Sequence, residues 1–363
     1  AACAPVGTLI RSHQQGLEFL IQAQQPDGSW GTFLSSRPYE IMLGTVSSHR
    51  AFRDAVTALC VLSLDSPAAR EPAAAAAQER GLNFLLAAPA TARATGEVFY
   101  DTWTHAYLLE TFARLHRKER WAHRQKELAP IIEREIQLLS RRQGADGGWG
   151  YYDFGHSLAT PSGSESTSFL TAVALLAFHE ARRSGFSVNP DVIADGLSCL
   201  ERLRLPGGSY VYGTYAQGRP GVLFNRVKGS LGRSQPCNLA LWINERDITA
   251  EEMQEGLSHL RDHHHFIEIG KSRPYPHEAW YFTAGYYFMF GHYYAAKVIE
   301  ELPRKAQRKH ASWLVKTFAR LQDPDGSWFD WPFYGYYKEY GTAYALLALQ
   351  SLHFTLEGSE LRP

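Results

Sequence analysis

The chain carries no excess of charge of either sign. Its 37 lysines and arginines are balanced by 37 aspartates and glutamates, so nothing in it is built to bind nucleic acid or to adhere to an anionic membrane by charge. Cysteine is scarce. Cys3, Cys60, Cys199 and Cys237 show no CxxC pair or finger-like spacing, which excludes a cysteine-based metal framework. Three of the four sit in apolar helical stretches and read as small buried hydrophobes. Strand patterning is also missing, because no useful length of sequence alternates apolar with polar residues. The most apolar run, 279–296, contains five tyrosines, two glycines and His292, the composition of a buried helix and not of a membrane span.

Hydrophobic residues make up 45% of the chain and charged ones 20%, enough apolar mass for a sizeable core. Aromatic residues, at 13%, are abundant. The organising stretch is IRSHQQGLEFLIQAQQPDGSWG, residues 10–31. Leu17, Leu20, Ile21 and Gln24 fall at helical spacing. Pro26 and Asp27-Gly28 then end the helix in a turn, and Trp30 re-anchors the chain. The unit returns as SRRQGADGGWG, ending at Trp149, and as FARLQDPDGSWF, ending at Trp328. Those tryptophans stand 119 and 179 residues apart, two and three steps of about 60, as a repeat architecture requires. Tyr210 occupies the step after Trp149, Pro89 the step after Trp30, and Gly270 the step after Tyr210.

Each step holds an amphipathic helix followed by an apolar one. The amphipathic members are expected near residues 10–24, 78–88, 127–143, 192–205, 249–262 and 308–322. The apolar members are expected at 51–64, 97–115, 165–181, 234–243, 278–298 and 339–352. A helix with little polar face belongs inside. Neither end of the array looks like a polar cap, and six pairs are too few for a long superhelix. The reading is therefore all-α: residues 1–363 form a single α/α toroid of six inner and six outer helices.

The segment GLEFLIQAQQPDGSW resembles the glutamine-tryptophan repeat of squalene cyclases at Gly16, Phe19, Leu20, Gln24, Gly28 and Trp30, and Gln143–Trp149 and Gln322–Trp328 repeat its core. The whole chain is similar to the toroid group of terpenoid cyclases and protein prenyltransferase β-subunits. That resemblance implies the fold, and it implies an isoprenoid or other apolar ligand. It also implies two sets of site residues. The cyclases' DxDD acid is reduced here to Asp101 in Asp101-Thr102-Trp103-Thr104. The prenyltransferases' zinc triad is reduced to Cys237 in Gln235-Pro236-Cys237, with Gly341-Thr342 where a histidine is expected. A lone thiol does not hold zinc, so neither metal nor cofactor is expected. Arg226, Lys228 and Arg233 precede Cys237 much as basic residues do in that group, and are candidates for binding an anion.

The starts of the apolar helices carry Asp54, Asp101, Glu165, Gln235, Glu278 and Glu339, the places where a general acid would be found. Helix capping is the plainer account of each. Asp101 and His105, four residues apart, share a helix face and form a candidate proton-transfer pair or a hydrogen bond within the inner ring. Glu165, Cys237 and Glu339 complete the polar set. His263-His264-His265 is read as a helix end, because consecutive side chains do not converge on one ion. The apolar helices also supply Trp103, Tyr107, Phe169, Trp280 and Tyr287, expected to wall a cavity on the axis. Three functions fit: a toroid handling an isoprenoid-like ligand, a carbohydrate-active α/α barrel, and a non-catalytic toroid for a protein or peptide partner. Contact with a membrane surface stays open, and Ala1-Ala2-Cys3 has the small residues found at the end of a lipid-modified export signal.

Overall fold

The computed structural model describes residues 3–34, 46–88, 99–153, 165–275, 277–283, 285–332 and 334–358; Ala1, Ala2 and Pro89 lie outside them. Among the described residues, twelve helices of ten or more residues alternate between two rings. The outer ones are α1 (Cys3–Ala23), α3 (Pro72–Ala87), α5 (Gln125–Arg141), α7 (Pro190–Leu203), α9 (Ala250–Asp262) and α11 (Arg304–Leu321). The inner ones are α2 (Val46–Ser63), α4 (Thr102–His116), α6 (Ser168–Arg183), α8 (Ser234–Ile243), α10 (Phe288–Glu300) and α12 (Tyr337–Glu357). Each inner helix packs on the next, and α12 returns to pack on α2, so the ring is closed. Each outer helix covers the inner helix of the preceding pair, with α1 against α12. Since the chain always passes outer to inner through the same end of the barrel, those connections all gather at one mouth.

Patterning explains the assignment of helices to rings. In α5 the buried positions are Leu128, Ile132, Glu135, Ile136 and Leu139, one stripe of an otherwise polar helix. In α6 every residue from Ser168 to Phe178 is buried. The starts of α3 and α7 are set by Pro72 and Pro190 in the first turn. A capping box between Thr249 and Glu252 opens α9.

The tryptophan units show how the rings are fastened. The indole N–H of Trp30, Trp149 and Trp328 donates to the carbonyl ten residues earlier, that of Leu20, Leu139 and Phe318, at 2.8 Å in each case. Each backbone N–H meets a threonine hydroxyl of an inner helix: Thr57, Thr171 and Thr342, at 3.0–3.1 Å. The glutamine amide bridges its own turn to the next outer helix. Gln24 donates to Gly28 and Ala77, Gln143 to Gly147 and Val192, Gln322 to Gly326 and Ser12. The bond from Gln322 to Ser12 joins the last outer helix to the first and seals the barrel. Glycine is required beneath each indole, because a Cβ on Gly81, Gly196 or Gly16 would stand 2.5, 2.8 or 2.6 Å from the ring. Tyr210 keeps part of the arrangement. Its N–H donates to Ser230 at 3.1 Å and its hydroxyl to Asn238 at 2.9 Å.

Three expectations are corrected. The fifth inner helix begins at Phe288 and not near 278, so Glu278 and Trp280 lie outside it. His277, Tyr281 and Phe282 adopt φ of 68°, 65° and 53°, values no α-helix accommodates. Gly285 also backs onto Gly270, where a Cβ would come within 2.9 Å of its backbone. The second correction is a small amount of extended structure: Phe99–Tyr100 pairs antiparallel with Tyr152–Asp153 at the mouth. Periodicity cannot reveal a ladder of two residues. Asp54 falls in the interior of α2 and not at its start.

Candidate functional site

Helix α4 presents two unlike faces. At 100° per residue, Trp103 and Tyr107 share one side while Asp101 and His105 share the other. Trp103 and Tyr107 point to the axis. Their ring neighbours include Phe290 on α10, 5.6 Å from Trp103, and Tyr344 on α12, 6.2 Å from Tyr107. Neither α10 nor α12 adjoins α4 in the ring, so these contacts cross the barrel. Phe169 of α6 completes the layer, 6.0 Å from Trp103 and 4.8 Å from Tyr287. Trp103, Tyr107, Phe169, Phe290 and Tyr344 are all buried.

Above them, towards the mouth, the aromatic wall opens. Tyr100 stacks on Tyr151 at 5.3 Å and accepts the Trp103 indole N–H at 3.0 Å. The hydroxyls of Tyr151, Tyr212 and Tyr287 converge: Tyr151 bonds to both others, and Tyr212 and Tyr287 are 3.3 Å apart. Tyr151 and Tyr212 each stand two residues after a repeat anchor, Trp149 and Tyr210. Tyr100, Tyr151, Tyr212, Tyr287 and Tyr340 are only half-buried. The wall thus keeps accessible surface above a closed floor. A cavity of about 30 Å³ adjoins it, lined among others by Phe169, Tyr212, Arg233, Thr283 and Tyr287. Trp280 does not join the wall. It is 73% exposed at the mouth, a consequence of the shortened α10.

Asp101 and His105 face the outer ring. His105 Nε2 lies 3.1 Å from Asp101 and Nδ1 lies 2.6 Å from Glu135 of α5, while Arg142 donates to Asp101 and Arg134 to Glu135. Both ring nitrogens meet carboxylates, so the geometry calls for an imidazolium. Burial opposes that charge, but the two carboxylates outweigh it and raise the His105 pKa. Burial likewise acts to raise Asp101, and His105 and Arg142 overcome it to hold the carboxyl low. The group ties the two rings together and is not directed at the axis. Glu135, on α5, and Arg142, just past its end, escaped sequence reasoning because nothing local shows which inner helix they meet.

The other polar candidates scatter. Glu165 is exposed at the mouth, short of the first residue of α6. Cys237 is fully buried, and burial drives its thiol pKa up, the condition of an inert cysteine. Glu339 lies in the first turn of α12, where burial lifts its carboxyl to about 7. Arg226, Lys228 and Arg233 do not converge. Arg226 donates to Gly221 at 3.0 Å, and Lys228 lies over Phe266 at 4.9 Å. Arg233 gives its donors to the carbonyls of Tyr210, Gly229 and Phe224 and stacks over Tyr212 at 5.4 Å. Burial lowers Arg233 to about 10. His264 bonds to His292 at 2.8 Å and to Glu268 at 3.0 Å. Among the described residues no group of three or more His, Cys, Asp or Glu is placed to hold a metal ion.

One acid was missed. Asp330 is 1% exposed, accepts from the Met289 N–H at 2.6 Å at the start of α10, and leaves its second oxygen without a partner. Burial raises it to about 7. The only sequence signal was an acid set in the aromatic run FDWPFYGYY.

Closed rings of paired helices around an aromatic axis define an α/α toroid. The chain belongs to the squalene-hopene cyclase C-terminal domain family, whose model matches residues 12–226, more than half its length. No curated protein matches it. Among solved structures it is similar to cellobiose 2-epimerase from Spirochaeta thermophila (14% identity, 97% of this chain and 99% of that one, TM-score 0.61). It is also similar to an α-1,6-mannanase of Salegentibacter (8% identity, 96% and 99%, TM-score 0.60) and to a protein from Actinoplanes (14% identity, 95% and 99%, TM-score 0.54). At these identities the likeness is one of fold. Among the described residues no helix is long and apolar enough to cross a membrane.

Proposed function

We propose that this toroid binds an isoprenoid-like apolar molecule on its axis, entering through the mouth framed by Tyr100, Tyr151, Tyr212, Tyr287 and Tyr340. The observation that carries this reading is the cross-barrel aromatic layer. Rings from α4, α6, α10 and α12 meet there without a charged side chain among them, beneath tyrosines that keep accessible surface. A concave apolar site with a few polar groups at its edge is the usual form of a small-molecule pocket. The family supports the same reading by analogy of fold. The carbohydrate reading draws on the epimerase and mannanase likeness. Glycoside chemistry calls for two carboxyl groups facing one bond, and the carboxyls of Asp101 and Glu135 are instead engaged by His105, Arg142 and Arg134. If proton transfer to a bound alkene accompanies binding, Asp330 and Glu339, held near neutral by burial, are better placed on chemical grounds than Asp101.

Organic-solvent extraction of the purified protein, followed by mass spectrometry, tests the reading. An isoprenoid at near-stoichiometric yield, depleted in Trp103→Ala, is the expected result. An extract free of lipid, with mannose- or glucose-containing oligosaccharides binding in its place, would overturn it.

A further inference from the structure

The inner helices all run from the mouth to the far end of the barrel, where the C-terminal turns of α2, α4, α10 and α12 gather. Between them lies a cavity of about 180 Å³, against about 30 Å³ beside Phe169 at the mouth. The aromatic layer of Trp103, Tyr107, Phe290 and Tyr344 separates the two ends. The far cavity has a different lining from the axis. Arg114, Lys118 and Lys297 share it with Asp65 and Glu300, and Ser351 lies among them. Phe354, in the last turns of α12, forms part of its apolar edge and is 53% exposed. Among the described residues, every other large apolar side chain exposed to a comparable degree lies in the connections at the mouth. An exposed phenyl ring beside a set of charges is what needs an explanation here.

The charges are paired with one another. Glu300 accepts from Lys297 and from Ser351. Arg114 donates to Glu110 at 2.9 Å and to Tyr293 at 3.3 Å. Asp65 stands 3.9 Å from Lys118 and accepts from the Trp121 indole at 3.2 Å. A ligand bearing a charge of either sign would meet a like charge on this lining and would have to break a pair to bind. Hydrogen-bonding capacity remains, however. An ammonium carries three donors, a guanidinium five and a carboxylate about four lone-pair sites, and the bonds above do not exhaust them. A neutral molecule rich in hydroxyls both gives and accepts such bonds without displacing an ion pair, and its C–H face can cover an aromatic ring.

We infer that the far-end cavity is a second ligand site, for a neutral polyhydroxylated ring of monosaccharide size. Its hydroxyls engage Arg114, Lys297, Glu300 and Ser351, and its C–H face lies on Phe354. The site does not depend on the isoprenoid reading, and a sugar here is compatible with a lipid on the axis.

The test is saturation-transfer NMR on the full chain with four neutral probes, D-glucose, D-galactose, D-mannose and myo-inositol, and two charged ones, glucuronate and glucosamine. At least one neutral probe is expected to bind with a Kd on the order of 1 mM, the scale of a small polar ligand, and more tightly than either charged probe. Phe354→Ala should weaken it about fivefold through the lost ring contact, and the exposure of Phe354 keeps this change from endangering the fold. Ser351→Ala should weaken it by a similar factor through one lost hydrogen bond, and saturating geranylgeraniol should leave it unchanged. No transfer to any neutral probe, or tighter binding of glucuronate or glucosamine, would overturn the inference. So would a sugar that survives both substitutions or is displaced by geranylgeraniol, since either result places it elsewhere in the barrel.

Discussion

The two faces of α4 solve opposite problems with neighbouring residues. The outward face, Asp101 and His105, meets Glu135 and Arg142 in a closed ionic group in which every charge has an opposite beside it. The inward face, Trp103 and Tyr107, meets rings from across the barrel and no charge. The first face pairs its charges with one another, although Asp101 Oδ1 and Arg142 Nε keep no hydrogen-bond partner. The second leaves accessible surface above it at the mouth. A titratable pair at helical spacing is therefore a poor guide to the site in this fold, because inner helices use such pairs to hold the outer ring.

Breaking the ionic face should produce the largest effect. Glu135→Ala leaves a buried imidazolium short of one carboxylate, and unfolding by urea should show a loss of about 3–5 kcal/mol. Ligand affinity of the folded protein should stay within twofold. Trp103→Ala should do the reverse at the axis, weakening an isoprenoid ligand by about 1–3 kcal/mol through lost apolar contact, as read by fluorescence or calorimetric titration.

The ionic face also predicts a pH profile. His105 has a folded pKa raised above its ordinary value, so its contribution is complete below the unfolded pKa of about 6.5 and is lost as pH rises through the folded value. Asp101 has a depressed folded pKa, so its contribution is present above about 4 and is lost as pH falls through the folded value. Thermal melts from pH 3 to 9 should therefore peak between these limits. Glu135→Gln should bring the alkaline decline to lower pH, whereas Trp103→Phe should not move it. The smallest effect belongs to Glu165, which is exposed. Glu165→Gln should change stability by less than about 0.5 kcal/mol and leave ligand binding intact in the same titration.

Much of this was legible before the structure. The 60-residue phase of Trp30, Trp149 and Trp328 announced the six pairs, since each tryptophan, glutamine and glycine has one structural task repeated around the ring. Trp103, Tyr107 and Phe169 could be placed on the axis because apolar helices turn their large rings inward. The partner of a polar residue was not legible. Nothing local in Asp101-Thr102-Trp103-Thr104-His105 says that Glu135 waits on α5 and Arg142 just past its end, and that contact depends on how two helices cross. Trp280 was misplaced for a related reason. Its neighbours are helix-compatible by composition, and the break comes from positive φ at Tyr281 and Phe282 and from the close approach of Gly285 to Gly270. Asp330 was recognisable only once the lack of a partner for its second oxygen could be seen.

The comparison between the two faces is tested most directly by measuring geranylgeraniol binding to Trp103→Ala and Glu135→Gln side by side, each under conditions where it is fully folded. The account predicts at least about a fivefold loss of affinity in Trp103→Ala and no more than a twofold change in Glu135→Gln. Equal losses in both, or a loss confined to Glu135→Gln, would place the ligand between the rings and contradict the axial site.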